Sequence, residues 1–151
     1  MRILNSRKGF TLIELLVVIA IIGILSSFMV ANYIGVQQRA RDGQRKSDLR
    51  SIQTALEVYR SDQDTYPSSP DLDLSSCGSS TFQVGSSVYI QRIPCDPLND
   101  GSFIYTYSPS GGGYTLKACL ENSNDSQKDI PNDDAKCLPG SNSVSYTLTN
   151  P

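Results

Sequence analysis

Between Leu15 and Gln38 the chain carries no charged residue, a run of 24 positions. At about 1.5 Å per residue that is roughly 36 Å of helix, enough to cross a hydrocarbon core about 30 Å thick. The 151 residues allow one compact domain plus this appendage. The rest of the chain, after the run, is polar and rich in Ser, Asn, Asp and Gly. A segment of that composition buries only a small core and needs support from a helix or from cross-links.

Charge is unevenly placed. Arg2, Arg7 and Lys8 precede the apolar run and hold the N-terminus on the cytoplasmic side. After the run come Arg39, Arg41, Arg45, Lys46 and Arg50. Their readings are a solvated helix face, contact with lipid head groups or acidic neighbours, or DNA contact. Residues 61–151 carry four bases against eleven acids, which argues against a general nucleic-acid binder.

Glu14 is the anomaly. A carboxylate one turn into a membrane helix costs about 2.5–3.5 kcal/mol on insertion scales unless it is paired, so it marks a functional position. Gly9, a small residue of the kind found at cleavage sites, comes before the apolar core, where a secretory signal would place it after. If the chain is cut after Gly9, Phe10 gains a positive α-amino group. In a staggered bundle of identical helices, Glu14 of one copy then meets the Phe10 amine of the next. Such a pair in a low-dielectric core sets the axial register.

The segment Lys8-Gly9-Phe10-Thr11-Leu12-Ile13-Glu14-Leu15-Leu16-Val17-Val18-Ile19-Ala20-Ile21-Ile22-Gly23-Ile24-Leu25 closely resembles the class III leader and N-terminal helix of type IV pilins and type II secretion pseudopilins. The resemblance implies cleavage between Gly9 and Phe10 by a membrane-embedded aspartyl prepilin peptidase, then N-methylation of Phe10. Gly23 matches the family's helix glycine. Ala31 stands where many members have proline, which leaves Gly35 as a weaker point for helix melting.

Past the membrane, Leu49, Ile52, Leu56 and Tyr59 recur at helical spacing with Ala55 beside them, so one helix is expected from about Phe10 to Arg60. Residues 67–87 read as a Ser/Pro/Gly-rich loop. Phe103–Tyr107, Tyr114–Leu120 and Val144–Leu148 read as strands, with Gly111-Gly112-Gly113 as a turn. The expected fold is α+β: a long N-terminal helix, transmembrane in its first half, packed in its second half on a small antiparallel sheet. The expected divisions are a leader at 1–9, a filament-core helix at 10–38 and a pilin head at 39–151. Asp64-Thr65-Tyr66-Pro67 resembles the family's exit from the helix. Ile93-Pro94-Cys95-Asp96-Pro97 looks like the Pro-x-Asp-Pro stretch of major pseudopilins and Gram-positive-type pilins. Tyr105, Tyr107 and Tyr114 are expected half buried and half solvated.

Cys77, Cys95, Cys119 and Cys137 all follow the apolar run, on the exported side. An even count in a small exported domain reads as two disulfides. Of three possible pairings, the sequential one (Cys77–Cys95 and Cys119–Cys137) closes two equal spans and is preferred. With no His and no CxxC, zinc has no support. The Cys119–Cys137 interval is rich in oxygen donors. The resemblance implies calcium in this interval, as related pseudopilins carry it there, but these residues match neither the family's site nor an EF-hand loop; a solvated turn region is the favoured reading, with Asp125, Asp129, Asp133 and Asp134 as the calcium candidates. No other cofactor is expected.

No His is present for a Ser-His or Cys-His pair, and no glycine-rich loop joins a strand to a helix, so no enzyme activity is expected. The expected function is a self-assembling structural subunit. It waits as a single-pass protein of the cytoplasmic membrane, then enters an extracellular filament on the cell surface. Its partners would be further copies of itself, the prepilin peptidase, the pilus or secretion assembly machinery, and lipid before assembly. The disulfides and the cysteine-closed loop tilt the expectation toward a surface pilus. The rivals are a major pseudopilin of type II secretion, a DNA-uptake pilin and an unassembled anchored monomer.

Overall fold

The structure is a computed structural model. It describes residues 9–69, 71–132, 137 and 143–150, with the backbone alone of residues 30–32. Helix α1 spans Leu12–Gln63. Five strands follow: β1 Phe82–Val84, β2 Ser87–Ile90, β3 Thr106–Ser110, β4 Gly113–Leu120 and β5 Val144–Thr149. The chain divides into two compact units at Gln37/Gln38.

In the first unit, Leu12–Met29 is long and apolar enough to cross a membrane. Its large apolar side chains are 47–84% exposed from Phe10 to Met29. A helix that is apolar all round has no fold-internal partner for that surface; lipid or other helices must cover it.

The second unit begins with the rest of α1. Leu49, Ile52 and Leu56 are fully buried, and each contributes about 1.5–3 kcal/mol by leaving water. They pack with Leu72, Leu74, Phe82, Ile93, Leu116, Leu120, Val144 and Tyr146. The helix ends where Asp64 adopts a left-handed φ of 58° and donates its N–H to the Arg60 carbonyl at 2.8 Å. Such a residue closes a helix C-terminus. Strands β3, β4 and β5 form one antiparallel sheet in that order, with Thr106 opposite Lys117 and Cys119 opposite Ser145. Leu116, Ala118 and Leu120 face the core at every second position of β4.

Three expectations change here. The first strand of this sheet starts at Thr106, not Phe103, and Phe103 instead lies under the Arg45 guanidinium, 4.7 Å from ring centroid to Cζ. The stretch expected to be loop up to residue 87 contains strand β1 and the turn that pairs it with β2. Gly85 at φ 59° leads this two-residue turn, the first central position of the turns that match strand twist. Tyr105, Tyr107 and Tyr114 are buried. Their hydroxyls donate to Asp48, the Pro67 carbonyl and Glu57 respectively, which is how a buried phenol avoids a desolvation penalty.

Candidate assembly site

Gly9 and Phe10 lie before the first helical turn and are exposed; Phe10 is 84% exposed. Space around Gly9 is open for a Cβ. The expected leader residues before Gly9 lie outside the described residues. At the helix start, Thr11 donates its N–H (2.9 Å) and its hydroxyl (2.7 Å) to one carboxylate oxygen of Glu14. The Glu14 N–H donates back to the Thr11 hydroxyl at 3.3 Å. This is a capping box, in which a Ser/Thr and the Glu three residues later satisfy each other's backbone donors. The Thr-Leu-Ile-Glu spacing carries that signal. In a lone chain the carboxylate therefore already has donors before any neighbour arrives.

The basic cluster that follows is largely consumed inside the head, contrary to a simple solvated face. Arg45 is fully buried. Its Nε and one terminal nitrogen reach both oxygens of Asp96 at 2.6 and 2.9 Å. The other terminal nitrogen reaches Asp42 and Glu121, each at 2.7 Å. Arg41 forks onto Glu121 at 2.7 and 2.6 Å, and Lys46 pairs with Asp125 at 2.6 Å. Asp42 also accepts the backbone N–H groups of Glu121 and Asn122, just after β4, while Asp96 accepts that of Leu98. Burial disfavours the Arg45 charge, but hydrogen bonds to Asp96, Glu121 and Asp42 outweigh it and raise its pKa above the ordinary value. Arg41 first, then Arg45, hold Glu121 below the usual carboxylate range. Arg39 and Arg50 have no ion-pair partner among the described residues, so the lipid, neighbour and DNA readings retain only these two bases.

The signal for this cluster lies in helical spacing. Arg45 falls four residues before Leu49, in line with Ile52 and Leu56 on the face that enters the core. Asp96 reads as a turn residue; it is that, and also the helix's main tether.

Cys77 is bonded to Cys95 and Cys119 to Cys137. No group of His, Cys, Asp or Glu among the described residues is arranged to hold a metal. Asp125 is engaged by Lys46 and the Gln127 N–H. Asp129 is engaged by the N–H and hydroxyl of Thr147. Asp133 and Asp134 lie outside the described residues.

A profile of type II secretion system (T2SS) protein G matches residues 32–135, most of the chain and nearly all of the head through β4. The chain belongs to the type II secretion system protein G family. A second profile, the prokaryotic N-terminal methylation motif, covers residues 4–30 and hence Gly9, Phe10 and Glu14. Among relatives of this protein G family chain, type II secretion system core protein G of Escherichia coli K12 is 28% identical over 137 residues, covering 87% of this chain and 94% of that one. The Vibrio cholerae protein of the same name is 32% identical over 120 residues, 77% and 80% of the two chains. Type IV major pilin protein PilA of Myxococcus xanthus is 42% identical over 59 residues, only 39% of this chain and 27% of that protein. No solved structure matches the chain.

Proposed function

We propose that this chain is the major pseudopilin of a type II secretion apparatus, a structural subunit rather than an enzyme. The observation that carries this reading is the protein G match across the head. The N-terminal helix alone is common ground between pilins and pseudopilins, and the PilA match spans 59 residues, 39% of this chain. The tilt toward a surface pilus rests on the cysteine-closed loop and gives way to this broader similarity.

In the proposed cycle, the leader holds the N-terminus in the cytoplasm and Leu12–Met29 sits in the membrane. Cleavage after Gly9 creates the Phe10 amine. Glu14 then exchanges its Thr11 donors for the amine of an adjacent copy, and the exposed apolar helices bury one another in a filament core. Mature protein beginning at methylated Phe10 is the expected product. Glu14→Ala is expected to abolish fibres while leaving the membrane pool; unchanged fibre yield would remove Glu14 from the assembly step.

Deleting the gene separates the two filament readings. A pseudopilin predicts that normally secreted proteins accumulate inside the cells while surface fibres persist. Loss of sheared surface fibres with secretion intact would replace this reading with the type IV pilus subunit, which the PilA identity supports as the second choice.

A further inference from the structure

The sheet formed by β3, β4 and β5 has an outer edge at β5 that is closed without a fourth strand. The backbone groups of Ser145 and Thr147 turn away from β4, as alternate residues of an antiparallel edge do. The Asp129 N–H donates to the Ser145 carbonyl at 2.9 Å. The Ser145 N–H donates to the Asn132 side-chain oxygen at 2.9 Å. The Thr147 N–H donates to an Asp129 carboxylate oxygen at 3.2 Å, and the Thr147 hydroxyl to the other at 2.6 Å. Farther along, the Gln53 side chain donates to the Thr149 carbonyl at 2.8 Å.

Residues 129–132 thus lie along β5 as a strap that meets the edge through one backbone N–H, that of Asp129, and otherwise through the side chains of Asp129 and Asn132. Five residues beyond Asn132, Cys137 is bonded to Cys119, which sits opposite Ser145 in the β4–β5 ladder. The covalent bond therefore ties the chain, five residues past the strap, to the strand beside the edge that the strap covers. Both cysteines and Ser145 are buried.

We propose that the outer edge of β5 is a self-pairing surface, and that the strap, locked by Cys119–Cys137, keeps it from joining β5 of a second copy. An uncovered edge strand presents unpaired N–H and C=O groups and recruits another strand. A second copy is the occupant the geometry favours, because two antiparallel β5 edges meet in a closed, isologous pair. The edge segment Val144-Ser145-Tyr146-Thr147-Leu148-Thr149 carries no charge or proline to oppose it. Membrane storage would concentrate such edges. The guard operates whichever filament the chain builds.

The test uses the full chain in detergent micelles, comparing the wild type, Cys119→Ser/Cys137→Ser, Cys77→Ser/Cys95→Ser, and Asp129→Ala/Asn132→Ala with both disulfides intact. Each is examined for amide exchange at Ser145 and Thr147 and for head-to-head dimers trapped with a bismaleimide through a Thr149→Cys probe, whose exposed side chain takes no part in the strap. The inference expects at least tenfold faster exchange at Ser145 and Thr147, with trapped dimers, in the Cys119/Cys137 and Asp129/Asn132 variants, and neither in the Cys77/Cys95 variant. The Asp129/Asn132 variant decides the matter if the Cys119/Cys137 variant fails to fold. Slow exchange and monomeric heads there would overturn the inference, as would equal dimerisation in the Cys77/Cys95 variant.

Discussion

The Arg45 guanidinium is forked onto the Asp96 carboxylate at 2.6 and 2.9 Å, with both side chains shut off from solvent. The pair joins the middle of α1 to the Pro94-Cys95-Asp96-Pro97 turn, 51 residues away in sequence. Breaking a buried pair from one side leaves an uncompensated charge and costs about 3–5 kcal/mol. Arg45→Ala is therefore expected to lower the stability of the head by at least that much, since Asp42 and Glu121 lose a partner as well. Arg45→Lys should recover little, because an ammonium cannot fork. Denaturant unfolding of the full chain in detergent, followed by near-ultraviolet tyrosine dichroism, measures both; wild-type midpoints for Arg45→Ala would refute the assigned role.

Acid should loosen the same cluster. Glu121 lies below its ordinary value of 4.5, chiefly through Arg41. A carboxyl whose folded pKa is depressed contributes stability above its unfolded value, and that stability fades as pH falls through the folded one. Asp125 acts in the same sense: burial opposes its charge, but Lys46 and the Gln127 N–H bring it below 3.8. Asp48, raised by burial, acts oppositely: its contribution is present below its unfolded value and is lost as pH rises through the folded one. The unfolding temperature is expected to hold on acidification to about pH 4.5 and then decline, with a shallower decline in Glu121→Gln. Parallel curves for the two proteins would count against Glu121.

The two disulfides close equal sequence separations of 18 residues, so chain entropy assigns each a similar stabilisation of about 3 kcal/mol. Their access differs. Cys119 and Cys137 are 4% and 3% exposed, whereas Cys77 and Cys95 are half-buried. Under native conditions a mild phosphine reductant should open Cys77–Cys95 first. Timed alkylation and peptide mass analysis gives the order; prior labelling of Cys119 would contradict the burial argument.

Ser145 holds a hydroxyl that is buried with no hydrogen-bond partner among the described residues. A buried hydroxyl left unpaired costs about 1–3 kcal/mol in proteins. Ser145→Ala should thus leave stability unchanged or raise it by about 1 kcal/mol, read from the denaturant midpoint. A clear loss of stability would mean that the hydroxyl has a partner.

Where the physics is local, the sequence is legible. Absence of charge from Leu15 to Gln38 marks the apolar helix, the Leu49–Ile52–Leu56 spacing marks its continuation, and alternation marks β4 and β5. Arg45 escapes a reading that weighs charge without position on the helix. Its partners Asp96 and Glu121 lie 51 and 76 residues away, and no local rule pairs them. The β1–β2 hairpin is hidden because its strands are short and its Ser/Gly content resembles loop, although Gly85-Ser86 between Val84 and Ser87 is turn chemistry. Thr11 is masked by the more conspicuous charge of Glu14, with which it forms the cap.

The fork between Arg45 and Asp96 also has a mechanical meaning. Leucine contacts tolerate sliding, since one methyl group can replace another one turn along. A guanidinium aligned on a single carboxylate, with two more acids on its remaining nitrogen, has one resting position. Force applied along the lower part of α1 in the head would meet a ratchet tooth there, and the head would follow the helix without slipping.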